Sequence, residues 1–337
     1  MKIRAFTGNS GSKWWRLESV ANHITKNTDH EMLVFNIADW TGDIWDGDII
    51  IFQMVTNPKF VKQAQAKGAK VIYEIDDDIL RETSRDEVKN ELRQINGSKE
   101  AIGLADMVTT SSYQLAKELE KLNDNVEVLQ NRIDLDWWGK PLDIKRRGKT
   151  RIGWAGSTSH KEDLIFLKPI IAKILEEFDD TEFVYCGAGG VSSSSESTEL
   201  FYGKDLFSGI PPERREYHLG SNTELWALKS KTLHLDIALA PLIDDKFNNS
   251  KSNIKWQEYS MNGWAGVYSK SIVYKDIKGG LKAKSASEFY SQIKHLIKHP
   301  EERAVLVKEA QKEVLKNWTM DKHYLDWIKV YKKCLNQ

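Results

Sequence analysis

The amino-acid sequence predicts an α/β protein with two doubly wound domains that face a central cleft. Three observations support this prediction. Apolar runs alternate with helix-like segments in the first third of the chain, the alternation starts again at Arg151, and a glycine turn follows the strand that opens this second series. Such alternation with short connections is typical of parallel sheets. A length of 337 residues also suits two domains better than one core.

The first series of elements extends from the amino terminus to about residue 129. Residues 48–53 are apolar on both faces, as in a buried parallel strand. Gly68 closes one helix and Ser112 caps another. We predict strands at residues 3–6, 31–35, 48–53, 70–75, 107–110 and 126–129, and helices at residues 14–24, 59–67 and 112–122.

The second series follows a polar, basic segment at residues 138–149, which is the best candidate for a linker. Serine-rich residues 191–198 show no periodicity and are expected to form a mobile loop. The predicted domains are residues 1–140 and 150–318, with a terminal helix at 319–337 packed on the first domain. We predict strands at residues 152–154, 182–186, 235–241 and from 267, and helices at residues 161–178, 224–231, 254–261, 287–297, 301–318 and 323–335.

Composition excludes several classes of protein. Lys plus Arg and Asp plus Glu both number 49, so net charge favours neither nucleic acid nor membrane as a partner. Cys186 and Cys334 support neither a disulfide framework nor a zinc site. The amino terminus does not resemble a signal peptide, and no apolar stretch approaches the roughly 20 residues of a membrane span. We therefore expect a soluble, cytoplasmic protein.

Two motifs in the first domain suggest ligand binding. Gly8 and Gly11 lie between a strand and a helix, where backbone amides bind anions, and Arg16 follows in that helix. A simple tight turn is the alternative. The carboxylates of residues 76–78 follow another strand and suit a divalent metal that holds a diphosphate. They equally suit a solvated loop or a helix cap.

The glycine turn of the second domain is more specific. Gly156, Ser157 and Thr158 place backbone amides and hydroxyls at a helix start, where a phosphate is favoured. His160 could donate to that phosphate or to a sugar hydroxyl. The alternative is a helix cap with a surface histidine.

The segment at residues 240–258 carries the largest number of polar candidates. Lys251 and Lys255 lie four residues apart, so at a helix start both could face one phosphate. Asn253 lies between them, and Glu258, one turn further, could accept two hydrogen bonds from a ribose. Asp245 lies in the preceding loop.

Together these segments resemble the GT-B sugar-nucleotide glycosyltransferases, which have two Rossmann-like domains, and in particular the retaining group called family 4 or group 1. The resemblance covers nearly the whole chain. Its motifs are the Gly8–Gly11 turn with Arg16, residues 73–78, 109–112, 128–134 and 152–157 with His160, and residues 241–258 with Gly263.

The resemblance implies a role for each candidate residue. Glu258 would hold the donor ribose, and Lys251 and Lys255 would neutralise the departing diphosphate. The family places an acidic residue eight positions before the ribose carboxylate, where this chain has Ser250, so Asp244 or Asp245 is the candidate replacement. Transfer with retention would need no metal and no cofactor beyond the nucleoside-diphosphate sugar. Catalysis would come from leaving-group stabilisation and from positioning.

The sequence does not identify the acceptor substrate. A cell-envelope glycan or similar hydroxyl acceptor is expected by default, and hydroxylated DNA bases, as in phage-type transferases, are the second option. The terminal helix, with its lysines and aromatic residues, could also contact an anionic membrane surface. A non-catalytic nucleotide-sugar or glycan-binding module is the alternative that Ser250 favours, and a metal-dependent single-domain transferase is a third.

Overall fold

The computed structural model describes residues 1–8, 11–42, 46–80, 92–143, 148–157, 160–187, 206–207 and 209–337. This part of the chain forms two compact units. The first comprises Met1–Asp134, Asn249–Ser252 and Trp318–Gln337, and the second comprises Leu135–Asn248 and Asn253–Asn317. Thr158 and residues 191–198, which the sequence singled out, lie outside the described residues.

The first unit contains a parallel sheet in the order β2-β1-β3-β4-β5-β6. Its register pairs Ile3 of β1 with Ile49 of β3 and Met32 of β2. Every residue of β3 is buried, which explains its uniformly apolar sequence. The prediction of a parallel sheet is confirmed here. The strands are β1 (Lys2–Thr7), β2 (Glu31–Asn36), β3 (Ile49–Gln53), β4 (Lys70–Ile75), β5 (Met107–Thr110) and β6 (Val126–Val128).

The second unit contains another parallel sheet, in the order β12-β11-β10-β7-β8-β9. The sequence did not predict β9 and β12, which form its two edges. An edge strand pairs on one side only, and most positions of both strands are half-buried, so neither shows a strong apolar pattern. The strands are β7 (Thr150–Gly156), β8 (Thr181–Gly187), β9 (Arg215–Leu219), β10 (Ile237–Ala240), β11 (Ala265–Ser269) and β12 (Gly280–Ala283).

The helices follow the predicted order with local differences. The predicted helix at residues 14–24 begins as a π-helical turn, Trp14–Glu18, before α1. Three helices that the sequence did not predict are α3, α5 and α8. The helices are α1 (Ser19–Asn27), α2 (Lys59–Ala66), α3 (Leu92–Leu104), α4 (Tyr113–Leu119), α5 (Leu135–Trp138), α6 (Lys161–Glu177), α7 (Thr223–Lys231), α8 (Lys246–Asn249), α9 (Ile254–Asn262), α10 (Ala286–Lys298), α11 (Pro300–Asn317) and α12 (Met320–Leu335).

Each unit has its own apolar core. In the first unit α12 packs on α1 and contributes Met320, Trp327 and Tyr331 to the core that contains Ile3 and Val20. In the second unit α6 and α10 pack together over the sheet. Burial of these apolar faces stabilises each layer.

Among the described residues, none of the helices combines the length and the apolar character that a membrane crossing requires.

Candidate functional site

Most of the residues predicted to bind the nucleotide-sugar donor belong to the second unit, and they follow the carboxyl ends of its strands. β7 lies between β10 and β8, and the strand order reverses at the β10–β7 pair. In doubly wound sheets ligands bind at this reversal, beyond the carboxyl ends of the strands. β7 ends at Gly156, and the chain beyond β10 leads through α8 towards α9. The topology therefore points to the region around Gly156 and the start of α9.

Lys255, in the first turn of α9, is held against the glycine turn. Its side chain is buried, and its Nζ donates a hydrogen bond to the carbonyl oxygen of Ala155 and lies 5.2 Å from the centre of the Trp154 ring. A Cβ at Gly156 would lie 2.9 Å from this Nζ and 2.6 Å from the Trp154 ring. A side chain at position 156 would therefore displace the ammonium or the ring.

Glu258 lies one turn beyond Lys255 on α9. It is 8 % exposed, and its Oε1 accepts a hydrogen bond of 2.9 Å from Nε1 of Trp226 on α7. Burial raises the pKa of Glu258 to about 7, against the opposing effects of Lys255 and the Trp226 hydrogen bond. A carboxylate in this position is a strong acceptor for hydroxyl groups. Lys255 and Glu258 therefore lie one turn apart on the same helix, and their predicted roles towards a diphosphate and a ribose stay predictions.

His160 is positioned by a buried carboxylate. Its Nδ1 lies 2.7 Å from Oδ2 of Asp163, whose side chain is fully buried in the first turn of α6. The other oxygen of Asp163 accepts hydrogen bonds from the backbone N–H of Ile243, at 2.8 Å, and from Asn248, at 3.4 Å. The contact with Asp163 fixes the orientation of the imidazole ring. The predicted contact of His160 with a phosphate or a sugar hydroxyl stays a prediction.

Asp245 and Asn253 have local hydrogen-bond partners. Oδ1 of Asp245 accepts from the backbone N–H of Asn248 at 2.7 Å and so caps the short helix α8. Oδ1 of Asn253 accepts from Nε2 of Gln257 at 2.9 Å. Ser157 is exposed, and its carbonyl oxygen accepts from the backbone N–H of His160 at 3.3 Å. The predicted roles of Asp245, Asn253 and Ser157 towards a donor stay predictions, as does that of Thr158.

Lys251 belongs to the first unit. It precedes α9, which begins at Ile254, and its Nζ lies 3.3 Å from Oδ1 of Asp77. The helix starts three residues after Lys251, so only Lys255 lies on it, and the predicted contact of both lysines with one phosphate stays a prediction. Ser250 is buried, and its carbonyl oxygen accepts from Oγ of Ser112 at 2.5 Å. The serine at the position of the family's acidic residue thus serves a backbone contact in the first unit.

Arg16 lies inside the first unit. Its side chain is 0 % exposed and forms two hydrogen bonds with Glu74, of 2.8 and 3.2 Å. Its remaining donors bind the carbonyl oxygen of Leu129 and, at 2.9 Å, Oδ1 of Asn131. Thr109 donates to the same Glu74 at 2.6 Å. This network gives Arg16 a structural role and does not favour the predicted contact with a ligand.

The first glycine turn follows β1. Gly8 and Gly11 are both exposed, on either side of residues outside the described chain. After the turn, Oγ of Ser12 donates to Asp76 at 2.9 Å and accepts from Gln53 at 3.1 Å. Burial raises the pKa of Asp76 to about 7, and the neighbouring Asp77 adds to the effect. Asp76 thus has Ser12 as a protein partner, and Asp77 has Lys251.

Sequence reasoning missed the residues that position the site. Asp163 had a usable signal, since a carboxylate three residues after a histidine in a first helical turn lies on the same face. Asn248 and Trp226 gave no signal, because their contacts join segments that are far apart in the sequence.

Comparison with known proteins identifies the fold. Neither the family models nor the curated protein sequences searched give a match to this chain. Among solved structures, Anabaena HepE in complex with UDP is similar at 13 % identity and a TM-score of 0.70, over 99 % of this chain and 100 % of that one. Sucrose-phosphate synthase from Thermosynechococcus elongatus is similar at 10 % identity and a TM-score of 0.69, over 99 % and 98 % of the two chains.

A third similar structure is that of S. aureus MnaA with UDP, at 12 % identity and a TM-score of 0.57, over 100 % of this chain and 98 % of that one. At these identities the likeness concerns the fold. This chain has two parallel six-stranded sheets, and each of the three similarities covers at least 98 % of both chains. The chain has the GT-B fold, with two Rossmann-like α/β units.

Proposed function

We propose that this protein is a glycosyltransferase that moves a sugar from a nucleoside-diphosphate sugar to an acceptor hydroxyl. The observation that carries the proposal is the placement of the buried Lys255 ammonium against the Gly156 turn, with Glu258 one turn further along the helix. The position agrees with the ligand-binding edge of a doubly wound sheet.

The charge of Lys255 suits the departure of a diphosphate. Glycosyl transfer moves negative charge onto the leaving group, and a fixed cation at that position stabilises the transition state. Burial strengthens the interaction because the surroundings are less polar than water. Lys255 needs little reorganisation, since Ala155 and the Trp154 ring already hold the ammonium. Backbone amides after Gly156 would contribute in the same direction.

Glu258 suits the recognition of a ribose. An ionised carboxylate can accept hydrogen bonds from two neighbouring hydroxyls, and Trp226 fixes one of its oxygens from the other side. Because the pKa of Glu258 is raised to about 7, its ionised fraction changes near neutral pH. We therefore expect donor affinity to increase as the pH rises from 6 to 8.

The similar structures support a uridine nucleotide as the first donor to test. HepE was solved with UDP and with UDP-glucose, and MnaA with UDP. The acceptor in our proposal is a glycan or similar hydroxyl compound. Retention of configuration, independence of metal and a cytoplasmic location remain parts of the proposal. NMR of the anomeric proton in the product, turnover in EDTA and cell fractionation test them in turn.

The decisive experiment measures UDP release from a panel of sugar nucleotides. Replacing Lys255 by Ala should reduce release by about 100-fold or more, as the loss of a transition-state donor does in other enzymes. Lys308→Ala is the matched control, because Lys308 is an exposed lysine on α11 of the same unit. Near-normal turnover of Lys255→Ala would contradict the proposal. Tight donor binding without any UDP release would identify a non-catalytic module instead.

A further inference from the structure

A cavity of about 590 Å³ lies on the first unit. It is bounded by the start of α4, by β6 with the residues that follow it, and by α12. Its volume falls in the range of about 300–1,000 Å³ that small-molecule sites occupy. Its lining includes Tyr113, Leu129, Arg132, Trp327 and Lys329.

Arg132 is the unusual residue of this cavity. Its guanidinium stacks on the Trp318 ring, 4.6 Å from the centre, and its Nη2 donates a hydrogen bond to Oε1 of Gln130 at 3.5 Å. Its Nε is buried without a hydrogen-bond partner. Within the described chain no carboxylate oxygen lies within 4.0 Å of the guanidinium. Burial lowers the pKa of Arg132 to about 10, which still leaves it a cation at neutral pH.

The two carboxylates that line the cavity are already engaged by other groups. Glu127 forms an ion pair of 2.5 Å with Lys333, and Asp326 lies 2.8 Å from Nδ1 of His323. Lys329 is exposed and has no ion-pair partner in the described ranges. Asp326 also attracts Arg132, and the three cations of the lining, Arg132, Lys329 and Lys333, exceed its two carboxylates by one positive charge.

We propose that this cavity is a binding site for a phosphate ester, with Arg132 and Lys329 holding the phosphate. A phosphate monoester carries close to two negative charges at neutral pH, and the excess positive charge of the lining attracts it. The planar guanidinium can donate two parallel hydrogen bonds to the phosphate. Binding would thereby give the buried Nε a hydrogen-bond acceptor. The phosphate fills only part of the cavity, and the exposed ring of Tyr113 offers a surface for the organic part.

The probe for this site is phenyl phosphate, which combines a monoester with an aromatic body. Broadening of its phosphorus NMR line in the presence of the full chain measures binding. Arg132→Gln should weaken binding by at least about tenfold, the loss of one charge-assisted contact. Lys329→Ala should weaken it as well. Lys332→Ala is the matched control, since Lys332 is exposed on the same helix but does not line the cavity.

A crossed comparison separates this proposal from the proposed function. Arg132→Gln should keep UDP binding, whereas Lys255→Ala should lose UDP binding and keep phenyl phosphate. Equal phenyl phosphate binding by Arg132→Gln and Lys332→Ala would overturn the second site, whatever happens to UDP. If Arg132→Gln does not fold, the comparison of Lys329→Ala with Lys332→Ala gives the same decision.

A final arm distinguishes a soluble ester from a lipid headgroup. Vesicles of phosphatidylcholine with and without phosphatidic acid are sedimented with the wild-type protein and with Arg132→Gln. We expect phenyl phosphate to bind in solution without vesicles. Binding that depends on Arg132 but occurs only with phosphatidic acid vesicles would overturn the proposal in favour of a membrane contact.

Discussion

Replacing Glu258 by Gln should make the protein more stable at pH 8 while weakening donor binding. Glu258 is buried, and its raised pKa of about 7 means that its ionised form is costly in the folded state. Glutamine has the same shape and no charge. It keeps an oxygen that can accept the hydrogen bond from Trp226.

The magnitude follows from the two pKa values. The unfolded chain loses the Glu258 proton near the ordinary pKa of 4.5, whereas the folded protein retains it up to about 7. Between these values the folded state binds more protons, so the free energy of unfolding falls as the pH rises. The full cost is present above pH 7 and amounts to about 3 kcal/mol. Glu258→Gln should therefore gain about 3 kcal/mol at pH 8 and little at pH 4.

Urea unfolding at pH 4 and pH 8, followed by tryptophan fluorescence, measures this difference. Glu309→Gln on α11 is the control, because Glu309 is exposed and its removal should leave stability nearly unchanged at both pH values. A Glu258→Gln protein that is no more stable than wild type at pH 8 would refute the reasoning. UDP binding by the same variant shows whether the costly charge is retained for the ligand.

Three further substitutions test the contacts around the two glycine turns. Gly156→Ala should cost about 1–3 kcal/mol in the free energy of unfolding and abolish UDP binding, because the added methyl group would collide with the Lys255 ammonium; calorimetry of the variant measures both. Asp163→Asn should cost about 1–3 kcal/mol, since the buried carboxylate accepts hydrogen bonds from several groups, and an unchanged melting temperature would contradict this role. Arg16→Met should cost about 3–5 kcal/mol by leaving Glu74 buried and unpaired, and a stable variant that only loses donor affinity would support the ligand-binding alternative instead.

Periodicity predicted the sheets well because buried parallel strands are apolar along their whole length. β3 and β10 are fully buried, and both were predicted. The edge strands β9 and β12 contact fewer neighbours, so their composition carries less information. α5 and α8 have four residues each, which is too short for a helical period to show.

The candidate site was predictable only where its members lie on one element. Lys255 and Glu258 are neighbours on α9 because a helix places residues three apart on one face. Lys251 lies three residues before this helix, whose start at Ile254 was predicted, so the four-residue spacing of Lys251 and Lys255 does not place them on one helical face. The buried pair of Arg16 and Glu74 joins residues that are 58 positions apart, and the sequence shows nothing that links them.

The return of α12 to the first unit has a consequence for biosynthesis. Met320, Trp327 and Tyr331 belong to the same core as Ile3 and Val20, yet the ribosome makes them about 300 residues later. At roughly 5–20 residues per second, this delay lasts about 15–60 seconds. During that time the second unit is being made, while the part of the first unit's core that α12 completes is still exposed to water. A chaperone bound to the nascent first unit would cover this apolar surface until α12 is made.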